Sequence, residues 1–150
     1  MGRLTGIARR DGKRVPMQTL DTAEISEKTG VANDSRGMPG KRQVTVISTR
    51  AWRQACDEVG KELPWTTRRA NLLVDEIDLP SDAGGTIEVG TVKLQITKEV
   101  APCSRMDEQC PGLTRALSPD WRGGVACTVI QGGQVSIGDP VTVTGARASL

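Results

Sequence analysis

The sequence predicts a mainly β protein: a closed or nearly closed β-barrel carrying a few short peripheral helices. Three observations predict it. Short runs rich in Val and Ile alternate apolar with polar residues, as in RQVTVIS, TIEVGTVKLQIT and GQVSIGDPVTVTG, the mark of strands with one buried face. Gly and Pro separate these runs at short intervals, the spacing of all-β barrels. The third is what the core lacks. With three Trp and no Phe or Tyr it must rest on Val, Ile, Leu, Ala and Met, and β-branched residues suit strands better than helices.

A chain of 150 residues reads as one domain, 1–150. Folding at that size removes roughly 68–70% of the unfolded surface, enough for a core without covalent staples. The first stretch, GRLTGIARRDGKRVPMQTL, reads as a hairpin about a DG turn, with Leu4, Ile7 and Ala8 before it and Val15 and Met17 after. A polar, glycine-bearing connection follows, and residues 27–42 have the length and composition of a lid. RQVTVIS is a strand. Thr49 is expected to cap a helix, TRAWRQACDEVGKEL, whose Trp52, Ala55, Cys56 and Val59 fall at i, i+3, i+4 and i+7 and place Cys56 in the core. PWTTRR is partly helical and NLLVDEIDL is a strand. TIEVGTVKLQIT and GQVSIGDPVTVTG share one design, an alternating run, a glycine and a second run, and are expected to be two similar elements of one sheet. Between them lie a short helix at GLTRAL and the strand VACTVI, on which Cys127 points inward.

Composition excludes several functions. A net charge of +2 gives no concentrated basic face for nucleic acid, and the few aromatics leave no stacking platform for single strands. No apolar run approaches the ~18 residues of a membrane span, and MGRLTGIARR lacks the apolar core of a signal peptide. A cytoplasmic protein without a nucleic-acid or membrane partner is expected. The chain has no His, which removes Ser-His-Asp triads, Cys-His dyads and His-bearing zinc sites. Its four cysteines form no CxxC knuckle, against a thiolate zinc site, and a disulfide framework does not suit such a compartment. No metal-ligand set is assigned.

The chemistry concentrates in APCSRMDEQCPGL, residues 101–113. Cys103 follows a strand in a loop stiffened by Pro102, the kind of position from which loops act on a rigid scaffold. A thiol works as thiolate; Lys98 and Arg105 favour that form from nearby in sequence, while Glu99, Asp107 and Glu108 oppose it. A buried structural cysteine is the competing reading. Cys110 is expected to be an exposed, incidental thiol, or the partner of Cys103 in a disulfide. In PDWRGGVAC, Arg122 and the uncovered amides of Gly123 and Gly124 suit close approach to an anion, or else form a flexible turn. Arg68, Arg69 and Asn71, opening a strand, suit phosphate or make a solvated basic turn.

Taken in order, GVANDSRGMPGKRQVTVIS, RRANLLVDEIDL, GTIEVGTVKLQITKEVAPCSRMDEQCPGLTRAL, WRGGVACTVIQGG and QVSIGDPV resemble the small stand-alone MOSC domains, named for the C-terminal domain of molybdenum cofactor sulfurase. The resemblance covers roughly residues 3–145. It implies a β-barrel of the pyruvate-kinase-barrel type and a functional cysteine that carries sulfur or contacts molybdenum in a cofactor. By motif match that residue is Cys103, and Arg105 matches the basic residue of the longer PCSRC form. Met106 stands where that form has a second cysteine, and Asn33-Asp34 where relatives often have Gly-Asp. The sulfurase's pyridoxal phosphate domain has no counterpart here, so pyridoxal phosphate chemistry would come from a separate desulfurase.

Two functional classes follow, with a third behind them. In the first, Cys103 accepts a persulfide or donates to a molybdenum cofactor, whose phosphate Arg105, Arg122, Gly123 and Gly124 hold with help from Arg68, Arg69 and Asn71. Its partners would be a cysteine desulfurase-type sulfur donor or a molybdoenzyme acceptor. In the second, the barrel binds a small ligand or a protein and Cys103 has no covalent role. The third is a molybdenum-dependent reductase module, which Met106 disfavours.

Overall fold

The structure, a computed structural model, describes residues 2–12, 15–35 and 37–145. In chain order its strands are β1 (Gly2–Arg9), β2 (Gln18–Thr19), β3 (Thr22–Ser26), β4 (Gly30–Val31), β5 (Val44–Ser48), β6 (Leu72–Asp75), β7 (Thr86–Val89), β8 (Val92–Glu99), β9 (Val125–Gln131), β10 (Gly133–Ser136) and β11 (Pro140–Thr144). Its helices are α1 (Thr49–Val59), α2 (Ser104–Gln109) and α3 (Leu113–Leu117), with 3-10 turns at Trp65–Arg68 and Pro119–Trp121. Seven strands run in the order β11-β7-β8-β9-β5-β6-β1, and β1 closes the ring onto β11 through Gly2↔Val141 and Arg3↔Pro140. The barrel is closed, as the alternating pattern predicts.

Six of the seven neighbouring pairs are antiparallel and one, β5 beside β6, is parallel. A parallel pair cannot be joined by a tight turn and needs a long crossover. Here the crossover is α1 with the 3-10 turn at Trp65–Arg68. It explains why β5 is buried on both faces: Val44 and Val46 line the barrel interior, while Ile47 packs outward against Trp52, Ala55 and Cys56 of α1 and Leu113 and Leu117 of α3. The interior is aliphatic, with Leu4, Ile7, Leu72, Ile87, Leu94 and Val141 fully buried. Each such side chain contributes about 1.5–3 kcal/mol, so the lack of Phe and Tyr is no obstacle to a stable barrel.

Local details differ from expectation in instructive ways. Ser48, not Thr49, caps α1, its Oγ accepting the Ala51 N–H at 3.2 Å. The N-terminal hairpin pairs Ala8↔Thr19 and Arg9↔Gln18 only, so Val15 and Met17 belong to its loop, and residues 13 and 14 of the expected turn lie outside the described residues. The two look-alike stretches part company. TIEVGTVKLQIT forms the hairpin β7–β8, but in GQVSIGDPVTVTG β11 pairs with β7 in the barrel while β10 pairs with β3 in a separate three-stranded sheet. In the barrel, β11 has β7 and β1 as its two neighbours, so β10 must pair elsewhere.

Candidate functional site

Cys103 lies just beyond the C-terminal end of β8. The Val100 N–H donates to Gly124 O at 3.0 Å, tying the departing chain to the entry of β9. Three residues later Cys103 caps α2 with extended backbone, φ −128° and ψ 176°. Its carbonyl accepts from the Met106 N–H at 2.9 Å and the Thr114 hydroxyl at 2.7 Å, but its thiol makes no capping bond and is exposed. The stretch read as a loop thus contains a six-residue helix. It has a single buried side chain, Met106, and one apolar residue creates no period to recognise.

Cys110 corrects its expectation. It is 2% exposed, packed with Met106, Cys56 and Leu113 in the cluster between the helices and the barrel. It forms no bond to Cys103, which is exposed at the other end of α2 from the buried Cys110; all four cysteines are free thiols. Cys56 and Cys127 are buried as expected. Burial pushes the Cys127 thiol up to about 12, and burial likewise raises Cys56.

Arg68 is the residue that holds this end together. It is 9% exposed, and its Nε donates to Gly123 O at 3.0 Å while Nη2 donates to Val100 O at 2.6 Å. One guanidinium therefore bridges the segment leading to Cys103 and the segment entering β9. Burial, then the charge of Arg42, lower its pKa to about 10, with Cys103 and Glu99 acting in the opposite sense. It remains a cation at neutral pH.

The other expected site residues divide. Arg105, in the first turn of α2, is exposed. Arg69 donates from Nη2 to Val15 O, and its Nε is buried without a partner. Asn71 splices three strands: its Oδ1 accepts from the Thr45 N–H at 3.0 Å and its Nδ2 donates to Ala8 O at 3.2 Å. Gly123 and Gly124 are glycines for close approach. A Cβ on Gly123 would come within 2.6 Å of Val100 O, and one on Gly124, whose φ is +99°, within 2.4 Å of Val46 O. Both residues are buried, and the Gly124 N–H is not open to an anion because it donates to Trp121 O. Arg122 bonds Glu58 and Ala116 O, and it lines a cavity of about 220 Å³ with Ser48, Asp78 and Trp121 that Cys103 does not border.

A scan of family descriptions matches the MOSC domain over residues 27–142, most of the chain. The chain belongs to the MOSC domain family. Solved structures agree on the fold. The YuaD protein from Bacillus subtilis superposes with a TM-score of 0.79 at 18% identity, covering 95% of this chain and 94% of that one. YiiM from Escherichia coli gives 0.69 at 14% identity over 97% and 74% of the two chains, and YiiM from Geobacillus stearothermophilus gives 0.67 at 15% over 95% and 73%. Among curated protein sequences nothing matches.

In this MOSC domain the position of the second motif cysteine is instructive. Met106 is 5% exposed and faces the helical cluster, so a thiol there would face the core, not the surface on which Cys103 stands. The segment 27–42 is a strap rather than a free loop. The buried Gln43, a residue that sequence patterning missed, donates to Glu27 O at 2.7 Å and Gly37 O at 3.2 Å and accepts the Val129 N–H at 3.0 Å. A second anchor joins Ser35 N–H to Arg10 O and Arg10 N–H to Asp34 Oδ1. Asn33 has φ +67°, a left-handed conformation that Asn tolerates better than most residues. Arg36 of this strap lies outside the described residues.

Proposed function

We propose that this MOSC protein is a sulfur-handling accessory protein in which Cys103 accepts and passes on a sulfane sulfur. The observation that carries the reading is selective exposure: one of four thiols is exposed, at the end of a rigid barrel, with its side chain uncommitted. In the transfer, the Cys103 thiolate attacks the terminal sulfur of a donor persulfide. A new S–S bond forms on Cys103, the donor's S–S bond breaks, and the donor cysteine leaves as thiolate. No external oxidant is needed. A desulfurase-type donor would generate the persulfide with its own pyridoxal phosphate, and a molybdoenzyme or its cofactor would receive the sulfur.

The family also implies a molybdenum–pterin cofactor, and the residues suit it in kind. Among the described residues no three His, Cys, Asp or Glu side chains converge on a metal position, so the metal would have to arrive already held by an organic ligand. One soft thiolate and two buried guanidinium N–H groups in want of an acceptor, at Arg69 Nε and Arg122 Nε, are what this chain adds. Cys103 would face the metal, and Arg69 and Arg105 would hold phosphate. Arg68, Asn71, Gly123 and Gly124 would support that end through the backbone bonds described, and Arg122 would brace it from α1 and α3. When bound, the cofactor would supply a redox-active metal able to take a sulfur ligand.

The test is the alkylation rate of each cysteine in the native protein, read by peptide mass spectrometry across pH. Buried thiols react only through opening of the fold, so Cys103 should label about a hundredfold faster than Cys56, Cys110 and Cys127. Incubation with a persulfide donor should then add one sulfur atom at Cys103. A Cys103 no faster than Cys110 refutes the reading. The cavity beside Trp121 and Arg122 favours a second one, a ligand-binding barrel in which Cys103→Ser leaves ligand affinity intact.

A further inference from the structure

We propose that the barrel end around Cys103 is a docking surface for an acidic segment of the protein that exchanges sulfur with it. The inference rests on the sulfur-handling reading and adds the chemistry of the partner. The whole chain carries a net charge of only +2, yet cations gather at this end. Arg68 lies within electrostatic reach of both Cys103 and Arg42, and Arg69 follows it. The Lys41 carbonyl accepts from Thr97 Oγ1, which puts the strap beside the end of β8, where Lys98 follows. Arg105 projects from the first turn of α2. Three carboxylates share the neighbourhood, Glu99, Asp107 and Glu108, and Asp107 accepts the Thr114 N–H. Arg68 is buried, but the other five cations are exposed or half-buried and outnumber the three carboxylates, while the rest of the chain has no basic excess.

The shape of the site points to a macromolecule. Cys103 is exposed and borders neither the cavity beside Trp121 nor the one beside Ile130, so a partner would supply the facing wall. Two exposed apolar residues adjoin these cations along the chain or through a backbone bond. Met38, 77% exposed, lies on the strap three residues before Lys41, and Val15, 39% exposed, offers its carbonyl to Arg69. Met and Arg are enriched in protein interfaces. A nucleic acid would want aromatic stacking, and all three Trp are buried or half-buried. An acidic protein segment is the occupant that these features fit.

The test uses three peptides of equal length, each with one cysteine activated as a 2-pyridyl disulfide and flanked by Glu, by Gly and Ser, or by Lys. In the exchange the Cys103 thiolate bonds to the peptide sulfur, the disulfide to pyridine breaks, and pyridine-2-thione leaves and is read by absorbance. Electrostatic steering raises association rates by ~10–10³, so at low salt the acidic peptide should react about tenfold faster than the neutral one and the basic peptide slower. The spread should collapse at high salt. The double reversal Lys41→Glu/Arg42→Glu should invert the order. Lys93→Glu, at the start of β8 and so at the other end of that strand, should leave it unchanged.

Equal rates for the three peptides, with brisk alkylation of Cys103 by iodoacetamide, overturn the docking proposal and leave the sulfur-handling reading standing. An order unmoved by the double reversal also overturns it. So does protection of Cys103 by a single-stranded oligonucleotide at concentrations where a Glu-rich peptide gives none. A Cys103 inert to all three peptides and to iodoacetamide overturns both readings.

Discussion

In an Arg68→Ala variant two carbonyls, those of Val100 and Gly123, lose their donor at once. Hydrogen bonds from a charged donor are worth about 1.5–3 kcal/mol each in mutational series, which brackets the loss at about 3–6 kcal/mol. Arg68 is held against its own desolvation, since burial is the first cause of its lowered pKa, and that relief on removal places the expected cost near the bottom of the range, about 3 kcal/mol. For a domain of this size each kcal/mol moves Tm by roughly 2–4 °C, so a drop of roughly 6–12 °C is expected. Arg68→Lys should fall about halfway, because one ammonium on a flexible stem does not reproduce the fork that reaches both carbonyls. The assay is paired urea and thermal melts of the three proteins, with amide exchange followed at Val100, whose N–H bonds Gly124 O. Loosening there should also alter the alkylation rate of Cys103, which lies three residues on. A loss under about 1 kcal/mol, or unchanged protection at Val100, would refute the view that this guanidinium ties the Cys103 segment to the barrel.

Alkaline stability tests the buried thiol at Cys127. Its pKa is raised from 9.0 to about 12, so its contribution is complete below pH 9 and is lost as pH rises toward 12, at about 1.4 kcal/mol per pH unit. Between pH 8 and 10.5 the wild type should lose about 2 kcal/mol that Cys127→Ala keeps. Arg68 titrates in the opposite sense from about 10 upward, but it is common to both proteins and cancels in the comparison. Equal losses would refute the reading. Gln43→Leu removes the donor to Glu27 O and Gly37 O and the acceptor for Val129 N–H, and should cost about 2–4 kcal/mol while opening residues 27–37 to limited proteolysis. Gly37→Ala should reproduce that cleavage, since its Cβ would fall 1.6 Å from Thr29 O. A strap as resistant as wild type in either variant would refute the anchoring.

The strands were legible because their signal is local. Val44 and Val46, or Leu94 and Ile96, alternate whatever the rest of the chain does, and a period of two needs no partner to be seen. The helical face of α1 was equally plain from Trp52, Ala55 and Cys56. Within α2 the single apolar residue Met106 gave nothing to count, and Cys110 was misplaced because its burial comes from α1 and α3 closing over it. The split between β10 and β11 was invisible for a related reason: two stretches with the same pattern can take different partners once a barrel is complete.

By itself, then, the sequence determined that the protein is a barrel of aliphatic strands without histidine chemistry, and that Cys103 is the thiol to watch. Alternation, composition and motif are properties of neighbouring residues, and they survive without coordinates. Tertiary structure alone decided which cations stand near that thiol. Arg68, Arg122 and Asn71 look alike as polar residues in polar stretches, yet one bridges two loops, one braces α1 and α3, and one splices three strands. The physical reason is that a buried polar group must find its hydrogen-bond partners wherever the chain brings them, and most of those partners lie tens of residues away.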